Sequence, residues 1–290
     1  MARPYLLLEL PKWGALYERL VGSYRSDANW ADARPRLFRD KRYGFWRIAD
    51  LRGWADRSLY FLGRWYDLRA MLLVDEVLEP GQTVVDVGGN YGHFTLAAAA
   101  NLGKDGQVIV FEPNPASLAR LRMHLMLNDL PAEVHEAGLA DEPGTLYFYV
   151  PKINSGEASF AGSKYADVAV IQRPVVVGDA VLSGRAVDFI KVDVEGFEYR
   201  VMGGLSKTLA LHQPMVLMEV VAGHLERAGS SPRELGDLMR GFEYRPYAMR
   251  LVRRGMSHRL RLIPLTGLDA DGDVVWVSDR HKERIARLLQ

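Results

Sequence analysis

The stretch that most constrains the fold runs from Thr83 to Ala100, TVVDVGGNYGHFTLAAAA. Its apolar run, Val84, Val85 and Val87, stops at a glycine-rich turn and passes directly into a helix-forming segment. That order predicts strand, tight turn, helix, with Asp86 near the carboxyl end of the strand. In open α/β sheets, ligands bind beyond these strand ends, where the turn backbone and the next helix's amino terminus converge. Gly88, Gly89 and Gly92 have no side chains, so a ligand can approach the main chain closely. Ala97 to Ala100 suit a helix packed tightly on the sheet. An ordinary βα turn carries glycines too, so the ligand reading depends on the residues beyond this helix.

A second apolar strand, Gln107 to Phe111, ends in Glu112-Pro113-Asn114-Pro115. An acid at this place, about 20 residues past the first turn, can accept hydrogen bonds from a ribose diol. Dinucleotides and S-adenosylmethionine are both held in this way. The first turn separates them. A dinucleotide site reads G-x-G-x-x-G around a pyrophosphate, whereas this chain reads D-x-G-x-N-x-G, with Asn90 at its centre. The charge on Asp86 would repel a pyrophosphate and favour the cationic amino end of a methionine moiety. S-adenosylmethionine is the better fit.

Further along stand DFIKVDVEGFE, closing on Asp193 and Glu195, and VLMEV, closing on Glu219. Taken in order, DVGGNYGHFTL, FEPNP, KVDVEG and VLMEV resemble the FkbM-type family of S-adenosylmethionine-dependent methyltransferases, from about Phe61 to Glu219. A weaker echo covers Asp273 to Ser278. The first two motifs are general to class I methyltransferases; KVDVEG is the family-specific one. His93 departs from the pattern, standing where an aromatic residue is expected. The resemblance implies an α/β fold, a doubly wound, mostly parallel seven-stranded Rossmann-like sheet. It implies cofactor contacts from Asp86, Gly88, Gly89, Asn90, Gly92, Glu112, Asn114 and Asp193. The turn Gly138-Leu139-Ala140-Asp141 should border the adenine.

Residues 67–290 read as the methyltransferase domain, with strands near Glu133–Ala137, Thr145–Val150, Val168–Val177, Asp188–Asp193, Met215–Glu219, Phe242–Met249 and Val274–Val277. Helices are expected over Arg69–Leu78, Ser117–Asn128, Phe197–Leu209 and Pro232–Met239, with a short amphipathic one at the carboxyl end. The small-residue loop Asn154–Ser163 could be a mobile lid or a plain surface excursion. Residues 1–66 differ: they hold five of the six tryptophans, too aromatic for a disordered tail. They read as a cap that shapes an acceptor site, with Glu9–Tyr24 helical. Within them, the basic run Arg34–Arg47 is either a solvated face or a site for an anionic acceptor.

In the resembled fold the fourth strand lies beside the first and the fifth beside the fourth, which should bring Asp193 and Glu219 together, with Glu195 just beyond. Lys191 shares Asp193's side of its strand and needs a carboxylate partner. Three readings of this cluster stand open. It can be an ion-pair network, with Glu195 and Glu198 favouring a helix amino terminus. Asp193 and Glu219 can hold acceptor hydroxyls, one of them acting as general base. Asp193, Glu195 and Glu219 can instead bind a divalent metal through oxygen, an option not favoured. His93 and His224 are the histidines placed to act as a base.

Over 290 residues the formal net charge is +1, which disfavours nucleic acid as a partner, and there are no cysteines to act as nucleophiles or zinc ligands. No stretch approaches the roughly 18 apolar residues of a membrane span, and the amino terminus lacks the pattern of a signal peptide. A cytoplasmic enzyme is expected. The resemblance implies O-methylation of a hydroxyl on a sugar, glycan or secondary metabolite, hence a polyhydroxylated acceptor. An N-methyltransferase, or a non-catalytic partner that binds the cofactor, are the alternatives, and a nicotinamide-dependent oxidoreductase is disfavoured by Asp86.

Overall fold

The computed structural model describes residues 3–10, 12–151, 155–254, 257–268 and 271–290. Among them the strands, in chain order, are β1 (Arg36–Arg39), β2 (Trp46–Ala49), β3 (Thr83–Val87), β4 (Gln107–Phe111), β5 (Glu133–His135), β6 (Gly138–Ala140), β7 (Gly144–Pro151), β8 (Val168–Val177), β9 (Phe189–Val192), β10 (Met215–Val220), β11 (Arg245–Arg254), β12 (Ser257–Pro264) and β13 (Gly272–Val277). Eight make one sheet in the order β12-β11-β13-β10-β9-β3-β4-β5. Neighbours from β10 to β5 run parallel, while β13, β11 and β12 are added antiparallel. The doubly wound, mostly parallel sheet is therefore present, with eight strands in place of seven. The additional one is β12, an edge strand paired to β11. Its mark in the sequence is the alternation of exposed Arg259 and Arg261 with buried Leu260 and Leu262.

The central strands are buried on both faces, which is why they read as continuous apolar runs. Val84 packs with Phe94, Ala97 and Leu121 on one face. Val85 and Val87 pack with Ile109, Ile190 and Trp276 on the other. Asn114 caps the Pro115–Leu127 helix, its side-chain oxygen accepting from Ala116 N–H at 3.1 Å, and Pro115 occupies the first turn. The single helix expected over Phe197–Leu209 is two, Glu198–Gly203 and Ser206–His212, parted near the Gly203-Gly204 pair. The expected Gly138–Asp141 turn is in its first three residues the strand β6, in a separate sheet of order β6-β8-β7. Of the expected loop, Asn154 lies outside the described residues; Ser155–Glu157 is a 3-10 turn, and Ser159 bridges to Tyr149 at 2.9 and 3.0 Å.

Towards the amino terminus the helix is shorter than expected, Trp13–Leu20, followed by the 3-10 segment Tyr24–Trp30. Strands β1 and β2 form a hairpin over a small core of Phe38, Ala49, Leu51 and Leu59. Part of the basic run is paired here, while Arg34 and Arg36 are exposed. Arg47 is buried against Asp40 at 2.9 Å, Arg42 pairs with Asp75, and Arg39 lies over the Trp46 ring. Of these three only Arg47 is buried; Arg39 and Arg42 stay exposed.

Candidate active site

The strand registers set the site. Asp86 and Val87 on β3 face Lys191 and Val192 on β9, and Val192 faces Met218 on β10. The next residue along each strand is Gly88, Asp193 and Glu219, so these three come level at one edge of the sheet. Glu219 is in turn the direct partner of Asp273 on β13. Two cavities open at this edge, and Asp193 lines both.

The first is a cleft lined by Gly88, Asn90, Glu112, Asn114, Gly138, Leu139 and Asp193, all expected as cofactor contacts. Gly88 has φ +79°, and a Cβ there would stand 2.0 Å from the Asp193 carbonyl oxygen. The close approach of turn and β9 is thus possible only for glycine. Glu112 accepts from Asn90 N–H and Asn114 N–H, each at 2.6 Å, which binds the glycine turn to the Pro115–Leu127 helix. Burial pushes its carboxyl up to about 7, against those two donors. Each oxygen keeps a second lone pair for a diol. The cleft is narrow, about 40 Å³, and Gly156, Ala158 and Phe160 complete its lining. The Phe160 ring rests on Gly138, where a Cβ would meet it at 2.4 Å, and it packs between Phe148 and Phe197.

Three of the expected cofactor contacts, Asp86, Gly89 and Gly92, do not line this cleft, nor does the expected base His93. Asp86 is fully buried, its carboxylate accepting from the Thr95 hydroxyl at 2.6 Å and lying 3.5 Å from Lys191 Nζ. Its charge is spent inside the protein, anchoring the strand end. Gly89 and Gly92 face Val110 and Leu121, so their small size serves packing of the turn. His93 lies behind the site, beside Arg47 and Asp56, with burial holding it well below its usual range. It lines neither cavity.

The second cavity, about 330 Å³, lies between the sheet edge and the residues just before the Leu68–Val77 helix. Carboxylates of Asp67, Asp193, Glu219 and Asp273 line it, with Trp65 and Tyr66 as an aromatic wall and Lys191 and Arg69 as the cations. Lys191 donates to Gly88 O at 2.7 Å and lies 3.3 Å from Asp193. Burial works to lower its pKa, but the facing carboxylates, Asp193 and Asp86 first, outweigh it and keep the lysine charged. The proximity of Asp193, and then burial, push Glu219 far up. Asp273 is pushed up to about 7, by burial first and then by Asp67. The cavity therefore presents carboxylates that compete for protons, the setting in which an acid/base pair operates.

Glu195 and His224 stand at the side of this row. Their nearest atoms are 2.8 Å apart, and neither lines either of these two cavities. Asp193, Glu195 and Glu219 bring ligand-type oxygens within 4.8 Å of one another, as do Glu157, Glu195 and His224 with their own donor atoms. Asp67, Trp65 and Tyr66 were not read as site residues from the sequence. Asp67 is legible only as a helix cap, and it does accept from Arg69 and Ala70 N–H at 3.1 Å. The fold alone turns that cap towards Asp193.

A parallel sheet with its cofactor-type turn after β3, an acid after β4 and a carboxylate row after β9 and β10 defines a class I methyltransferase-like protein. The Methyltransferase FkbM domain model matches residues 86–246, more than half of the chain. The chain belongs to the FkbM methyltransferase family and is an S-adenosylmethionine-dependent methyltransferase. Similar solved structures include FkbM methyltransferase from Methylobacillus flagellatus KT, 16% identical over 91% of this chain and 60% of that one, TM-score 0.41. Precorrin-6y C5,15-methyltransferase from Geobacter metallireducens GS-15 is 13% identical over 73% of this chain and 86% of its own, TM-score 0.41. Aeropyrum pernix fibrillarin, in complex with natively bound S-adenosyl-L-methionine, is 12% identical over 72% and 73%, TM-score 0.40. Among curated proteins none matches this chain.

Proposed function

We propose that the protein methylates a hydroxyl oxygen of a polyhydroxylated acceptor, a sugar unit of a glycan or a glycosylated metabolite, in the cytoplasm. The observation that carries this reading is Asp193, which lines both the narrow cleft and the wide cavity. A donor and an acceptor held in these two spaces meet at one carboxylate. The donor site fits the residues present: Glu112 would hold the ribose, and the backbone of Gly88 and Asn90 would lie along the methionine end. S-adenosylmethionine supplies a methyl group on a sulfonium that is its own leaving group. What falls to the chain is positioning, exclusion of water and removal of the acceptor's proton.

Asp193 and Glu219 can each accept a hydroxyl hydrogen bond, and one of them takes the proton as the oxygen becomes a nucleophile. Trp65 and Tyr66 offer faces to a sugar ring. Lys191 keeps the row from drifting apart in charge by neutralising Asp86 and Asp193. A second reading is favoured by a specific observation: four carboxylates around the cavity, against Lys191 and Arg69, suit an ammonium as well as a polyol. In that case the protein is an N-methyltransferase. Incubation with methyl-labelled S-adenosylmethionine and fractionated extract of the source cell tests both. Base-stable label on oxygen in the carbohydrate or metabolite fraction supports O-methylation. Label on nitrogen selects the second reading, and fractionation of cells tests the location.

A further inference from the structure

One helix reads the edge of the amino-terminal hairpin with its side chains. Arg120 and His124 lie four residues apart on the Pro115–Leu127 helix, and Asn128, its C-cap, four further. Four helical residues rise about 6 Å, and two strand residues rise about 6.6 Å, so the two repeats run in step. Phe45 O accepts from Asp40 N–H on the β1 side. The alternate residues Trp46 and Ile48 therefore point their backbone groups away from β1. Asn128 meets Trp46 with both halves of its amide, accepting N–H at 2.7 Å and donating to C=O at 2.9 Å. Ile48 N–H donates to His124 Nε2 at 3.0 Å, and Arg120 donates to Ile48 O. The helix supplies from side chains the hydrogen bonds that a third strand would supply from its backbone.

The same imidazole reaches the glycine turn. His124 is fully buried, and its Nδ1–H donates to Tyr91 O at 2.7 Å. A carbonyl partner requires the hydrogen on Nδ1, which leaves the Nε2 lone pair for Ile48 N–H. Both bonds thus need the one neutral tautomer. Arg120 lies over the Tyr91 ring at 4.2 Å. Two turns earlier Ser117 donates to Asn90 Oδ1 at 3.2 Å, and Ser117 and Asn114 line the cleft. These ties between β2 and the turn all run through this helix.

We propose that the Pro115–Leu127 helix couples the amino-terminal hairpin to the methyl-donor cleft, with His124 as the positioning residue shared by both. Docking of β2 holds Tyr91 in place, and a bound donor, by holding the turn, reinforces β2. The effect is reciprocal because linkage between two binding events must be. This inference rests on the reading of the cleft as the donor site. It gives residues 36–49 a part in donor binding although they line neither cavity.

Hydrogen exchange on the whole protein, with and without saturating S-adenosylhomocysteine, tests the coupling, with calorimetry to establish binding. Exchange should slow both at residues 88–92 and at residues 46–49, and His124→Leu should abolish the slowing at 46–49. Asn128→Ala removes the grip on Trp46 and touches no residue of the cleft. It should weaken S-adenosylhomocysteine binding about fivefold, the low end of ordinary coupling. Slowing at 88–92 with no change at 46–49 overturns the coupling and leaves the donor site standing. An Asn128→Ala affinity within about twofold of the parent does the same. Absence of any calorimetric binding overturns the donor-site reading, and the coupling falls with it.

Discussion

Glu112 and Asp193 divide the work of the site between holding and reacting, and each can be tested alone. Glu112 already accepts two backbone N–H bonds, so a carboxylate here is held in one orientation. Glu112→Ala removes a charge-assisted ribose contact and should weaken S-adenosylhomocysteine binding by ~1.5–3 kcal/mol in calorimetry. Affinity unchanged by the substitution means that another group holds the ribose. Asp193→Asn keeps shape and loses the charge that faces Lys191. It should cut turnover about 100-fold or more, the usual scale for a lost acid/base group, with an unaltered circular dichroism spectrum. We expect turnover to persist in EDTA. Loss of turnover that Mg²⁺ restores would instead make Asp193, Glu195 and Glu219 metal ligands.

At the level of elements, the segment that lines one side of the cleft can be tested as a gate. Phe160 packs on Gly138 between Phe148 and Phe197, and Ser159 is tied to Tyr149 and to the Glu195 carbonyl at 2.8 Å. A space of about 40 Å³ holds only a few waters, so a nucleoside needs this segment to move aside if it is to bind here. Phe160→Ala should speed association of S-adenosylhomocysteine in stopped-flow measurements and lower stability by about 1–3 kcal/mol through lost packing. An unaltered association rate means the ring is no gate. The elements that form this cleft were largely legible. β3, β4 and β10 are apolar runs buried on both faces, and Asn114 followed by Pro115 is an overt helix start. Of the separate sheet β6-β8-β7, the runs that form β7 and β8 were readable as strands, but β6 was not, because Gly138-Leu139-Ala140 has no local strand signal and is extended by pairing with Val175 to Val177.

For the whole molecule, the buried acids make stability depend on pH. Glu112, Glu198 and Asp273 are each pushed up to about 7, by burial first. Acids raised in this way contribute stability that is full below their unfolded values and lost as pH rises through the folded ones. The buried His124 is pushed down to about 4 by desolvation, with Arg47 and Arg120 adding to it, and His93 is also lowered. These histidines act in the opposite sense, adding stability as pH climbs from about 4 to 6.5. The trends oppose each other until the histidines are spent. Above pH 6.5 the acids alone remain, so Tm should fall from there to about pH 8. Glu219→Gln removes the cost of protonating a carboxyl beside Asp193 that is ionised in the unfolded chain, and should raise Tm at about pH 8 by a few degrees while lowering turnover. A variant that loses turnover and Tm together would mark Glu219 as structural.

Residues whose role is settled by their neighbours along the chain were readable without coordinates. Gly88 follows an apolar strand and Glu112 ends the next one, so parallel-sheet topology leaves them one place to go, the ligand edge. Roles that depend on partners distant in sequence were decided only by the tertiary structure. Asp86 was expected to face a ligand, yet Thr95 and Lys191 take its charge inside the protein. His93 was read as a base candidate, yet Arg47 of β2 and Asp56 pack beside it away from the site, and the docking of β2 gives His124 its tie to Ile48. Asp67, a helix cap by local pattern, faces the acceptor cavity because the chain folds back over β9 and β10. Local propensity and strand order travel with the chain, whereas burial and charge belong to the space between segments, which exists only once they have packed.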